Sequence, residues 1–237
     1  MAHISDSKLP VHVGFIMDGN GRWAQKRGLP RQLGHKEGAK VFRKIARYCK
    51  DIGIKYVTFF AFSTENWNRP KEEVDAIMSL FQQYLDEVDD YADENTRLLF
   101  LGDKSAFNQK MQKRMTELEK ESESFDGMTL MLAMNYGGRA DIVHSVKQIA
   151  SMIQNKDISC DNINESLISS LLYTKGIPDV DLIIRPSGEK RLSNFLIWQS
   201  AYAEYYFTDV LWPDFTKKEM DKALLEFSLR GRRFGGV

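Results

Sequence analysis

Short apolar runs rich in β-branched and aromatic residues alternate along this chain with longer segments in which apolar residues recur every three or four positions. The short runs fall at 11–17, 55–62, 96–101, 128–134 and 180–184, with a sixth near 203–207. Near-continuous apolar character over strand length is how a strand reads when both faces of its sheet are covered. Between the runs, Val41, Phe42, Ile45, Ala46 and Cys49 share one helical stripe. Val74, Ile77, Met78, Phe81, Leu85 and Val88 share a second, with Pro70 suited to its first turn. Ile142, Val143, Val146, Ile149 and Ile153 form a third. Thr216-Lys-Lys-Glu219 reads as a capping box ahead of Met220, Ala223, Leu224 and Phe227. The alternation predicts an α/β fold with a central, mostly parallel sheet of about six strands flanked by helices. No repeat, low-complexity tract or linker divides the chain, so 1–237 is expected to be a single domain, with 1–10 a flexible N-terminal segment.

The polar positions gather where the strands end. Asp18-Gly-Asn-Gly-Arg22 follows the first strand and Ser63-Thr-Glu-Asn-Trp-Asn-Arg69 the second. Asn135-Tyr-Gly-Gly-Arg139 follows the fourth and Arg185-Pro-Ser-Gly-Glu-Lys-Arg191 the fifth. Ligands of open α/β sheets bind beyond the carboxyl ends of the strands, so these loops suggest one composite site. Its chemistry is anionic. The amides of Gly19 and Gly21 can approach a phosphate, Arg22 adds a charged fork, and Asp18 can hold a metal. Arg185, Arg191 and Ser193 form a second basic cluster suited to the oxygens of a diphosphate. Glu189 and Glu204 near such a cluster point to a metal or to orientation of the arginines. Residues 63–69 read as a hydrogen-bonding lid. Each motif has a bland reading of its own: Asp-Gly and Asn-Gly are common turn dipeptides, and a lone His35 is more often structural.

Composition narrows the classes. Thirty-three basic residues balance 33 acidic ones, which argues against a nucleic-acid partner. Cys49 and Cys160 lack metal spacing, and Cys49 falls on an apolar helix face, as a reduced buried thiol would. The first ten residues lack the apolar core of a secretory signal, and no run is long enough to span a bilayer. A cytoplasmic protein is expected, with transient contact at the inner membrane surface left open. Asp89-Asp-Tyr-Ala-Asp93 reads as a solvated acidic face. Gly34-His-Lys-Glu-Gly38-Ala-Lys40 lacks the Gly-Lys-Ser/Thr ending of a nucleotide loop.

Together these segments resemble the cis-prenyltransferases, in particular the bacterial undecaprenyl diphosphate synthases. The likeness spans His12 to Val237 and rests on several long motifs in order. They are the segments starting at His12, Gly34, Phe60, Asn135, Asp181, Arg191 and Ala201, together with Arg232-Arg-Phe-Gly-Gly. The resemblance implies a homodimeric, magnesium-dependent enzyme that extends an allylic diphosphate such as farnesyl diphosphate with units of isopentenyl diphosphate. Each new double bond would be cis, and the product the long polyprenyl diphosphate of cell-wall lipid carrier synthesis. It assigns the allylic diphosphate to Gly19, Asn20, Gly21, Arg22, Trp23, Arg31 and His35. Ser63, Arg69, Arg185, Arg191 and Ser193 are assigned to isopentenyl diphosphate. Asp18 and Glu204 would position the metal, and Asp18 and Asn66 would serve catalysis. Ala61, Ile77, Leu80 and Phe81 would line a product tunnel, although periodicity alone makes them core. The proton leaving isopentenyl diphosphate could pass to Asn66 or to a diphosphate oxygen. Met131 stands where the family pattern leads one to expect a polar residue.

Overall fold

A computed structural model describes residues 9–87 and 95–230. Val88, the acidic run 89–93, the terminal motif 232–236 and most of the segment 1–10 lie outside the described residues. Six parallel strands form one sheet in the order β3-β4-β2-β1-β5-β6. They are β1 (His12–Ile16), β2 (Tyr56–Ser63), β3 (Thr96–Leu101), β4 (Met128–Tyr136), β5 (Leu182–Arg185) and β6 (Glu204–Phe207). The helices are α1 (Asn20–Gln25), α2 (Arg31–Asp51), α3 (Lys71–Asp86), α4 (Gln109–Glu121), α5 (Gly138–Gln154), α6 (Glu165–Leu171) and α7 (Lys217–Leu229). The single α/β domain expected from the alternation is the one observed.

Period-two alternation explains the layers. Val13, Phe15, Val57 and Phe59 face a large core shared with Phe42 and Ile45 of α2, Met111 and Met115 of α4, and Met220 and Leu224 of α7. Ile16, Met131, Ala133 and Ile183 face a smaller core closed by Phe195 and Leu196. Burying both faces is what makes the strands apolar on both parities. Met131 belongs to that second core, fully buried, with its sulfur 3.6 Å from the hydroxyl of Thr58. His12 Nδ1 donates to the Pro178 carbonyl at 2.8 Å, which leaves Nε2 to accept from Thr58 at 2.7 Å. A hydroxyl has one proton, so the sulfur contact is packing, not a second hydrogen bond. Burial pulls the His12 pKa down to about 4, and this outweighs the hydrogen bond to Pro178 and the charge of Asp181.

Two sequence expectations change, and one helix start becomes defined. The glycine-rich turn after β1 is mostly helix, since Gly19 alone takes the left-handed conformation (φ 101) and Gly21 sits inside α1. Helix α2 opens at Arg31, directly after Pro30. On α5 the inward residues are Gly138, Asp141, Ser145 and Ile149, while Val143 and Val146 are exposed. Polar partners explain that rotation: Asp141 accepts from the Tyr136 hydroxyl at 3.0 Å, from Gln199 at 3.2 Å and from the Tyr173 amide at 2.9 Å.

Candidate active site

The chain leaves β1 toward β2 and leaves β5 toward β6, so the crevice between β1 and β5 lies where the strand order diverges. Asp18 and Arg185 meet there, with Arg185 Nη2 donating to Asp18 Oδ2 at 2.8 Å. Arg185 is nearly buried, its side chain 4% exposed, and it also donates to the Ser193 hydroxyl at 2.8 Å and to the Arg191 carbonyl. Arg22 approaches the same carboxylate at 3.2 Å and donates to Ser187 Oγ at 2.6 Å. Burial pushes the Asp18 carboxyl upward, but the hydrogen bond and charge of Arg185, with Ser187 and Arg22, outweigh it and hold it below the usual carboxylate range. The charge of Arg185 is thus pre-oriented on the edge of the sheet.

A second cationic group converges on Glu73, in the first turn of α3. Arg69 lies 3.0 Å from its carboxylate, Arg31 3.2 Å and His35 Nε2 3.5 Å. Burial, then Arg69 and Arg31, depress the His35 pKa against the pull of Glu73, favouring the neutral imidazole near pH 7. Glu73 was not singled out in the sequence. Its spacing from Arg69 across Pro70 was legible, but the approach of α2 was not.

Between these clusters opens a cavity of about 340 Å³ lined by Asp18, Asn20, His35, Ser63, Asn66, Arg69, Arg185, Arg191 and Ser193 at its polar end. Ala61, Ile77, Leu80 and Phe81 line its apolar end, between α2, α3 and the sheet. Ala61 is the unpaired residue of a bulge, since Phe60 pairs with Ala133 and Phe62 with Met134. Bulges re-aim side chains at strand ends in this way. At the polar end three buried atoms make no hydrogen bond among the described residues: Asn20 Oδ1, His35 Nε2 and Arg185 Nε.

Gly34 and Gly38 of α2 face α1 closely, and Gly38 also lines the cavity. A side chain at Gly34 would lie 2.0 Å from the Asn20 carbonyl, and one at Gly38 would lie 2.2 Å from Asn20 Oδ1. Both positions let α1 lie against α2 with Asn20 turned to the cavity. This segment resembled a fragment of nucleotide loop in the sequence; its glycines serve helix packing.

A family model described as putative undecaprenyl diphosphate synthase matches residues 16–235. The chain belongs to this family. It is 48% identical over its full length to a farnesyl-diphosphate-specific ditrans,polycis-undecaprenyl-diphosphate synthase of Pasteurella multocida, of which 99% is covered. It is 46% identical to an isoprenyl transferase of Clostridium perfringens, over 98% of this chain and 92% of that one. Among solved structures, a lavandulyl diphosphate synthase from Lavandula x intermedia, in complex with dimethylallyl diphosphate, superposes with a TM-score of 0.94 at 36% identity. That match covers 97% of this chain and 100% of the other. A probable undecaprenyl diphosphate synthase from Campylobacter jejuni gives 0.79 at 35% identity, covering 95% and 98%.

Against the undecaprenyl diphosphate synthase pattern, two of the expected site residues stand apart. Trp23 turns away from the cavity, donating to Asp214 at 2.7 Å beneath the guanidinium of Arg27. Glu204 opens β6 level with Leu182, three residues before the Arg185–Phe207 pair. At a strand rise of roughly 3.3 Å per residue, that is about 10 Å back from the edge where Asp18 lies. Its carboxylate accepts from Arg230 at 2.6 Å. Within the described chain, Glu204 therefore lies well behind Asp18 along the strand direction. Gly19 and Gly21 act through packing: the Arg31 guanidinium would lie 2.8 Å from a side chain at Gly21, so it rests directly over α1. No cluster of three potential metal ligands occurs among the described residues. Asp18 offers one hard, partly exposed carboxylate. That donor set fits a cation which keeps waters and takes its other ligands from substrate phosphates. Among the described residues, no helix is long and apolar enough to cross a membrane.

Proposed function

We propose that the chain extends farnesyl diphosphate with isopentenyl units from isopentenyl diphosphate, forming cis double bonds and a long polyprenyl diphosphate for cell-wall lipid carrier synthesis. The observation that carries this reading is one cavity, charged at one end and apolar at the other. An amphiphile with a diphosphate head and a hydrocarbon tail matches both ends. The relatives named for farnesyl-diphosphate specificity and the solved relative bound to dimethylallyl diphosphate support the choice of head group and tail.

In this reading Arg22, Arg31, Asn20 and His35 hold the allylic diphosphate over the first turn of α1, with Gly19 and Gly21 leaving the backbone room. Cleavage of the allylic C–O bond leaves charge on the departing diphosphate, and preformed cationic donors stabilise it without reorganising. Arg185, Arg191, Ser193, Ser63 and Arg69 hold isopentenyl diphosphate. Its double bond attacks the allylic carbon, and a proton leaves its C2 toward Asn66 or a diphosphate oxygen. Magnesium bound through Asp18 and the phosphates would supply Lewis-acid charge neutralisation. The tail lies along Ala61, Ile77, Leu80 and Phe81. A homodimer accords with the exposed Val143, Val146 and Tyr202, which an interface would cover. Incubation with farnesyl diphosphate, labelled isopentenyl diphosphate and magnesium, followed by product sizing, tests the reading. A ladder of elongated products is expected. Absence of any product longer than the primer would overturn it.

A further inference from the structure

The loop after Arg191 holds three non-glycine residues in the left-handed backbone region: Ser193 (φ 50), Asn194 (φ 66) and Leu196 (φ 44). Asparagine tolerates that region, but serine and leucine disfavour it, so surrounding contacts must hold the loop in place. Asn194 makes many of them. Its main-chain carbonyl accepts from the Gly138 amide at 2.7 Å and its Oδ1 from the Arg139 amide at 2.9 Å, both in the first turn of α5. Its Nδ2 donates to Glu65 Oε1 at 2.8 Å, across 129 positions of sequence. A side chain on Gly137 would come within 2.6 Å of Asn194 Nδ2 and 2.8 Å of Thr64 Oγ1, so bare backbone there gives the three segments room to meet.

The neighbours of this bond line the cavity. Ser193, next to Asn194, accepts from Arg185; Asn66, next to Glu65, accepts from the Ser63 amide at 3.2 Å and lies in the short helical turn Thr64–Asn68. We propose that the Asn194–Glu65 hydrogen bond is a latch that couples anion binding on Arg185, Arg191 and Ser193 to closure of the 63–69 turn over the cavity. The proposal rests on the second basic cluster being an anion site, as in the function proposed above. An anion that fixes Ser193 fixes Asn194, and Asn194 then holds Glu65 and with it Asn66 and Arg69. Asn194 and Glu65 are positioning residues, and neither lines the cavity.

Asn194→Asp preserves shape and the acceptor for Arg139 but sets two carboxylates against each other. Adding Glu65→Gln restores a donor–acceptor pair in the opposite sense. Glu65→Ala cuts the latch at an exposed position, away from the buried Phe195 and Leu196. The probe is inorganic diphosphate, read by hydrogen exchange of the 63–69 amides, which needs no turnover. Diphosphate is expected to slow that exchange at least about tenfold in the native chain, the scale of one charge-assisted hydrogen bond. N194D and E65A should lose the protection, and N194D/E65Q should regain it, with the isopentenyl diphosphate KM moving in parallel. Protection retained in E65A, or no recovery in N194D/E65Q, overturns the latch. A native chain that shows the full exchange pattern without prenyl transfer would instead count against the proposed reaction and leave the latch standing.

Discussion

Replacing Asp18 separates its structural task from its chemical one. Its carboxylate is the counter-ion of Arg185 at 2.8 Å and of Arg22 at 3.2 Å, but the two arginines differ in access to water. Arg22 is 41% exposed at the side chain and can rehydrate; Arg185, at 4%, cannot. Stranding a buried charge costs about 3–5 kcal/mol when nothing else compensates. Arg185 keeps its bonds to Ser193 and the Arg191 carbonyl, and Asp18 is itself partly solvated. About 2 kcal/mol of lost stability is therefore expected for Asp18→Ala, and about 1 kcal/mol for Asp18→Asn, which retains an acceptor. The chemical loss is larger: one missing electrostatic stabiliser lowers kcat by about 10²–10³, or roughly 3–4 kcal/mol at the transition state. Denaturant unfolding measures the first quantity and steady-state prenyl transfer the second, both at a temperature where each variant is folded. If Asp18→Asn turns over within a factor of about three of the native chain, the charge of Asp18 is not used and the reasoning fails.

Other outcomes follow from the same geometry. Gly38→Ala drives a methyl group to 2.2 Å from Asn20 Oδ1, so it should displace α1, cost about 1–3 kcal/mol and raise the allylic KM, whereas Gly53→Ala, in open space but at φ 91, should affect stability alone. Leu80→Trp narrows the apolar end of the cavity; product sizing should show shorter chains with the first addition retained, and unchanged lengths would remove Leu80 from the tunnel wall. Acid should destabilise the fold through His12, whose folded pKa is about 4 against 6.5 when unfolded. A depressed pKa means stability that is whole above pH 6.5 and drains away as pH falls toward about 4, by about 3 kcal/mol in all. Unfolding free energies across that range should show a slope that His12→Asn reduces by about one proton.

Sequence periodicity located all six strands to within a few residues, because a parallel sheet covered on both faces imposes its apolar pattern on each strand locally. It also placed the polar loops on one edge, since parallel strands put all their carboxyl ends together. Spacing alone proved less reliable for helices. The α5 stripe pointed Val143 and Val146 inward, whereas the buried hydrogen bonds of Asp141 turn that helix. Asp18, Arg22 and Arg185 were legible as anion-site chemistry, and their convergence needed only the strand order. Glu73 was not legible, because a buried carboxylate is recognised by the cations that α2 and the 63–69 turn bring to it from elsewhere in the chain. The setting of Glu204 was not legible either: its motif lies next to the basic cluster in sequence, while the register of β6 sets it about three residues back from the edge. Local pattern is set by neighbours along the chain, so the sequence by itself determined the elements and the class of chemistry. Which charges face one another depends on register and on close helix approach at Gly34 and Gly38, and only the tertiary structure decided that.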